Sequence, residues 1–331
     1  MKQLIVDSDY NQRLDKFLLK YLNKSSKSFV YKLLRKKRIK LNNKKASGNE
    51  ILSKDDVITL YLSEETIEKF KDSNSFSEKG KDLESLDIIF EDDNIVIVNK
   101  PAGLLSQKDV KETTDTLNDR LLHYLHAKGE YNADSLFTPS ICNRLDRNTS
   151  GIVVCAKNLL AAQDVNFIFS NRLIERYYQT IVKGIVNEDV ELKNFYTKDI
   201  KKNMGSITDS QTDTTKEIYT KIKRMKNSRE YSLLDVEIIS GKSHQIRIQL
   251  QNIGHPIIGD RKYGDKQVND YFDKYDLKYQ LLHSYKIIFK NKEGFLSYLY
   301  GKEFIAEKPE MFVRIENQEI FESGGILRRK V

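Results

Sequence analysis

Long apolar runs are missing from this sequence. No stretch of about 18 apolar residues is present, which argues against a membrane-spanning helix. The first residues, Met1-Lys2-Gln3-Leu4-Ile5-Val6-Asp7, lack the apolar core of a secretory signal, so a cytoplasmic location is expected. Cysteine is scarce. Cys142 and Cys155 lie beside apolar residues, which predicts buried free thiols in a reducing compartment rather than a disulfide. Two cysteines cannot build a structural zinc site without histidine, and the five histidines show no metal-ligand spacing. No internal repeat is visible. What is abundant is positive charge: 56 Lys and Arg against 48 Asp and Glu, a net +8, with a pI near 9.0. That balance favours a polyanionic partner, nucleic acid or an anionic membrane surface. At 331 residues the chain can hold two domains, one with a sizeable core.

Residues 1–62 read as a small separate unit. Leu14, Phe17, Leu18, Tyr21 and Leu22 recur at helical spacing. Ser25-Ser26-Lys27-Ser28 offers N-cap candidates for a second helix over Phe29–Arg35. A basic strand and turn follow, and Asp55-Asp56-Val57-Ile58-Thr59-Leu60-Tyr61-Leu62 reads as a closing strand. Lys32, Arg35, Lys36, Lys37, Arg38 and Lys40 cluster at one helix end and the next strand, as a phosphate-backbone contact would require. A solvated, solubilising face would look the same. The order of elements, with its Leu-Asp-Lys-Phe-Leu start and Asp-Asp-Val-Ile close, resembles the S4-like RNA-binding module. Residues 63–85 are polar and charged and read as a linker.

From residue 86 to 331 the pattern predicts a second domain. Ile88-Ile89-Phe90 and Ile95-Val96-Ile97-Val98 form a hairpin around an acidic turn, closed by Asn99-Lys100-Pro101-Ala102-Gly103. Thr113 or Thr114 can cap a helix running to about Ala127, and Asn158 another running to about Arg172. Arg176–Gly184 alternates as a strand, and Glu217–Met225 with Tyr231–Ile239 make a hairpin. Ser243 is the N-cap expected for a short helix that stops at Gly254. Residues 187–215 are polar and carry no clear pattern. Hairpins outnumber helices, so the class is α+β, with a mixed, mainly antiparallel sheet flanked by helices and loops.

One polar stretch feeds a buried strand: Asn143-Arg144-Leu145-Asp146-Arg147-Asn148-Thr149-Ser150-Gly151, then Ile152-Val153-Val154-Cys155-Ala156. Taken alone, Asp146 can cap a turn and pair with Arg144 or Arg147. The stretch resembles the R-L-D-x-x-T-S-G motif of the RluA-like RNA pseudouridine synthases. Three further stretches resemble that family in the same order: Lys100-Pro101-Ala102-Gly103, Arg176-Tyr177-Tyr178, and Gly241-Lys242-Ser243-His244-Gln245-Ile246-Arg247. The resemblance implies isomerisation of uridine to pseudouridine in RNA, without cofactor or metal. It assigns the catalytic carboxylate to Asp146, its guanidinium partner to Arg247 and the stacking aromatic to Tyr178. The carboxylate can attack the sugar C1′ or the base C6, or act as a base. Arg144, Arg147, Lys242 and His244 are the accompanying RNA-contact candidates. Asn143 departs from the family's usual His, and Lys242 from its usual Arg. With the N-terminal module, structured ribosomal RNA of the large subunit is the expected substrate ahead of tRNA, bound by a monomer. The competing readings are a non-catalytic RNA-binding or ribosome-assembly protein, and a hydrolase pairing Asp146 with His244.

Overall fold

The structure, a computed structural model, describes residues 1–7, 9–71, 85–108, 115–132, 135–199, 204–208, 210–212 and 215–321. At the N-terminus, helices Leu14–Tyr21 and Lys27–Arg35 pack on a four-stranded antiparallel sheet. Its spatial order is Lys2–Ile5, Val57–Leu60, Ile39–Leu41, Lys44–Lys45. The helical apolar stripe read from the sequence is buried: Leu14, Phe17, Leu18, Tyr21 and Leu22 meet Val30, Leu33, Leu34, Ile58 and Leu60. The second helix starts at Lys27, because Ser26 caps it and its Oγ accepts from the Phe29 amide at 3.2 Å. The stretch expected to be linker from residue 63 is partly ordered. Ser63 caps a helix over Glu64–Phe70, and Ile67 and Phe70 join the N-terminal core. The rest of that expected linker, residues 72–84, lies outside the described residues.

The remainder is organised by a large sheet of eleven strands among the described residues. Nine of them run in the spatial order Met204–Thr208, Val190–Asp199, Lys216–Asn227, Tyr231–Ile238, Ile174–Lys183, Leu282–Phe289, Ser150–Ala156, Ile95–Lys100, Ile88–Glu91. All but one of the pairings are antiparallel; Leu282–Phe289 runs parallel to Ser150–Ala156. The fold is therefore α+β with a mixed, mainly antiparallel sheet.

The two faces of this sheet explain the near-continuous apolar runs. Successive side chains in a strand point to opposite faces. Val96, Val98, Val153 and Cys155 enter one core, with helix Leu117–Ala127 over them. Ile95, Ile97, Ile152 and Val154 enter the other, under helix Leu159–Ser170. Each such fully buried aliphatic contributes roughly 1.5–3 kcal/mol. Asn158 caps the second helix as expected, its Oδ1 accepting from the Ala161 amide at 2.9 Å. The first is capped by Thr116, which accepts from the Asp119 amide; Thr113 and Thr114 lie outside the described residues. The unpatterned region supplies strands Val190–Asp199 and Met204–Thr208.

Gly151 marks where the parallel strand comes closest. Its φ is +116°, and a Cβ there would lie 2.2 Å from the Ser284 carbonyl oxygen. Glycine alone satisfies both the conformation and the approach.

Candidate active site

Two loops meet at the end of the central strands. Lys100 ends its strand opposite Gly151, the second residue of the neighbouring one. The Lys100 side chain is fully buried, and its Nζ donates to three carbonyls: Pro101 at 2.8 Å, Leu104 at 2.9 Å and Arg147 at 3.0 Å. Burial pushes its pKa down to about 7, opposed by the charge on Asp146. Three acceptors match the three protons of an ammonium. Ser106 adds a second lace: its Oγ donates to the Leu145 carbonyl at 2.8 Å and accepts from the Leu145 amide at 3.2 Å. Gly103 donates to the Arg147 carbonyl at 2.9 Å. The loop carrying Asp146 is thus held from below by the Lys-Pro-Ala-Gly loop.

The carboxylate of Asp146 does not pair with its chain neighbours. Its Oδ2 accepts from Arg247 Nη1 at 2.8 Å, 101 residues away. Arg247 is itself held in a fork by Asp260, Nε to Oδ2 at 2.7 Å and Nη2 to Oδ1 at 2.9 Å. One edge of the guanidinium is used for position and the remaining nitrogen faces Asp146. Asp260 is 1% exposed, whereas the Asp146 side chain is 26% exposed. Burial works against the Asp260 charge, but the Arg247 hydrogen bonds and charge, with the Lys262 and Tyr263 amides, hold its carboxyl below the usual range. Burial likewise opposes the Arg247 charge, and the two carboxylates raise its pKa above the ordinary value.

The helix carrying Arg247 spans Gln245–Asn252. Ser243 does not cap it. The cap position falls on His244, in the left-handed region at φ +58°, with no side-chain cap bond. Two buried glutamines one turn apart anchor it instead. Gln245 donates to the Tyr219 carbonyl at 3.1 Å and Thr220 Oγ1 at 2.9 Å, and Gln249 accepts from Thr220 Oγ1 at 2.6 Å. Gly254, at φ +82°, ends the helix as expected.

Burial pushes the His244 pKa down to about 4, against the pull of Asp146. Its Nδ1 bonds the Tyr263 hydroxyl at 2.9 Å, and its Nε2 stands 3.8 Å from Asp146 Oδ2. That separation is too long for a hydrogen bond, which disfavours a hydrolase built on these two residues. Tyr178 shares a core with Leu145 and Ile246 and lines the same cleft as Asp146. Burial raises its phenol pKa, opposed by the Arg176 charge.

The cleft has a volume of about 1260 Å³ and takes in Arg144, Asp146, Arg147, Tyr178, Lys242, His244 and Arg247. The structure therefore brings these sequence candidates together. Arg147 also has a local role, its Nε donating to the Gly103 carbonyl at 3.1 Å. Asn143 pins the buried strand: its Oδ1 accepts from the Val154 amide at 2.7 Å and its Nδ2 donates to the Ile152 carbonyl at 3.3 Å. In the N-terminal unit, Lys32, Arg35, Lys36, Lys37 and Arg38 are exposed, and Lys40 lies over the Tyr61 ring at 5.2 Å. None of these six has an acidic partner among the described residues. Sequence reasoning did not single out Asp260, Tyr263 or Ser106, and treated Lys100 only as part of a turn. Among the described residues there is no cluster of three metal-ligating side chains, and no helix is long and apolar enough to cross a membrane.

Residues 94–252 match the family model for RNA pseudouridylate synthases, and residues 12–58 match the S4 domain. An uncharacterised RNA pseudouridine synthase of Mycoplasma genitalium is 32% identical, over 88% of this chain and 90% of its own. The protein named ribosomal large subunit pseudouridine synthase C of Rickettsia bellii is 32% identical, over 94% and 99%. The solved structure of human RNA pseudouridylate synthase domain containing 4 shares the fold, with a TM-score of 0.55 at 19% identity, over 70% of this chain and 93% of that one. The four motifs, the sheet that converges them and these matches together show that the chain belongs to the RluA-like family of RNA pseudouridine synthases and carries an N-terminal S4 domain.

Proposed function

We propose that the protein converts specific uridines of large-subunit ribosomal RNA to pseudouridine, acting in the cytoplasm as a monomer. Asp146 serves as the catalytic carboxylate, Arg247 as its electrostatic partner and Tyr178 as the aromatic that receives the extruded uracil. The observation that carries this reading is the 2.8 Å contact between Arg247 and Asp146 on the wall of a positively lined cleft. A guanidinium at that distance orients a carboxylate. Uracil must leave its stack to reach Asp146, at a cost of a few kcal/mol offset by pocket contacts. A raised phenol pKa keeps the Tyr178 ring neutral, as stacking on a base requires. The exposed cations of the S4 domain supply phosphate contacts beyond the cleft. Arg144, Arg147, Lys242 and His244 line the space around the target nucleotide. The relative from Rickettsia bellii is named for the large ribosomal subunit, which supports that substrate ahead of tRNA.

The test compares RNA from cells with and without the gene, mapping pseudouridines by carbodiimide reactivity. Loss of one or a few large-subunit positions is expected. Loss confined to tRNA would overturn the ribosomal assignment, and loss nowhere would favour a non-catalytic binder.

The Lys100 tether gives a separate expectation. Lys100→Met keeps the stem but leaves three buried carbonyls without their donor, a cost of about 1–3 kcal/mol. Loosening the Asp146 loop lowers kcat on the order of 10²-fold with little change in KM. Thermal melting and single-turnover rates check both; an unchanged kcat would show that the loop does not depend on this amine.

A further inference from the structure

Among the described residues, the Arg176 guanidinium on the cleft wall has no carboxylate partner. Arg176 sits two residues before Tyr178 on the strand Ile174–Lys183, so both face the same side, about 6.6 Å apart along the strand. Its guanidinium lies 5.8 Å from the Phe169 ring centroid. Its Nη2 reaches the Ser240 carbonyl only at 3.5 Å, and its buried Nε has no acceptor. Among the described residues no carboxylate lies within ion-pair distance of it. Gly241 leaves the group its space: a Cβ there would stand 2.8 Å from Nη1. Arg172 is near enough to oppose its charge, and Lys216 and Lys242 line the same cleft. Eight Lys and Arg side chains line that cleft against two carboxylates, Asp146 and Glu217. Asp146 is already bonded to Arg247.

Arg176 is half-buried, and partial burial of a cation without a counter-ion carries a cost that an anion from outside would offset. A planar fork with free donors fits a phosphate. We propose that Arg176, with Arg172 beside it, forms a subsite for a backbone phosphate flanking the flipped uridine. The spacing along the strand lets one nucleotide rest its base on Tyr178 and a neighbouring phosphate on Arg176. This subsite rests on the reading of the cleft as the uridine site.

Isomerisation breaks the bond between sugar C1′ and uracil N1, joins C1′ to C5, and releases the C5 hydrogen as a proton while N1 gains one, so RNA tritiated at C5 reports turnover. With such a large-subunit transcript, Arg176→Met is expected to raise KM tenfold or more with kcat within threefold. The slope of log affinity against log salt should shrink by about one. Arg176→Lys should recover the slope and part of the KM. In a short hairpin bearing the mapped uridine, a methylphosphonate at a flanking phosphate should raise KM for the wild-type enzyme and not for Arg176→Met. Wild-type tolerance of neutral linkages on both sides of the target would overturn the subsite, whatever the variants do. So would a loss confined to kcat. Absence of tritium release by the wild-type enzyme would overturn the reading of the cleft and the subsite with it.

Discussion

Asp146→Asn is expected to abolish tritium release, by at least about 10⁴-fold, while RNA affinity stays within about twofold. The substitution is isosteric and keeps an oxygen for Arg247 Nη1, which now sits 2.8 Å from Oδ2. What it removes is the charge. Arg247 is shared by two carboxylates, Asp146 and Asp260, so the trio carries a net negative charge. Neutralising Asp146 leaves the buried fork intact and weakens a partly exposed pair, a loss of about 1 kcal/mol or less. The melting temperature should therefore fall by only a few degrees, which separates a chemical defect from a folding defect. Residual turnover within tenfold of wild type would place the catalytic group elsewhere. A chain that only binds RNA would show no activity to lose in either form.

Arg247→Met should have the largest effect on stability. It leaves the Asp260 carboxylate, 1% exposed, without its cation. Breaking a buried pair from one side costs about 3–5 kcal/mol. For a chain of this size that lowers the melting temperature on the order of 10 °C. Activity should also be lost, since Asp146 loses its partner. The double variant Arg247→Met with Asp260→Asn removes the stranded charge while its amide oxygen can still accept from the Lys262 and Tyr263 amides, now at 2.9 and 3.0 Å. Most of the stability should return and none of the activity. A loss below about 1 kcal/mol in the single variant would show that the fork does not hold the fold. Recovered activity in the double variant would remove Arg247 from the catalytic arrangement.

The pairing that defines this site was legible only through motif order. Nothing in the local pattern around Asp146 points to residue 247, and the local alternative, an ion pair with Arg144 or Arg147, is chemically reasonable. The strand-to-helix elements that read clearly were those with strong periodicity or a cap, such as Ser150–Ala156 and the helix behind Asn158. The helix Glu64–Phe70 escaped notice because seven residues with one buried apolar position give no stripe to detect. Strand Val190–Asp199 alternates weakly, since lysine, asparagine and threonine interrupt its apolar residues. Asp260 stands among Gly259, Arg261 and Lys262 in a turn-rich loop, where an acid ordinarily faces water. Its burial arises only when helix Gln245–Asn252 lays Arg247 against it. Ser243 looked like a cap by residue type, yet the helix is anchored by Gln245 and Gln249 gripping Thr220.

The strand Leu282–Phe289 lies between Ser150–Ala156 and Ile174–Lys183, although it follows them by about a hundred residues. During synthesis both of those strands leave the ribosome long before their shared neighbour is translated. Each then waits with an open edge, and such edges invite pairing with other chains. A nascent polypeptide shorter than residue 289 therefore cannot close its sheet. It is also the stage at which chaperone protection matters most for this chain.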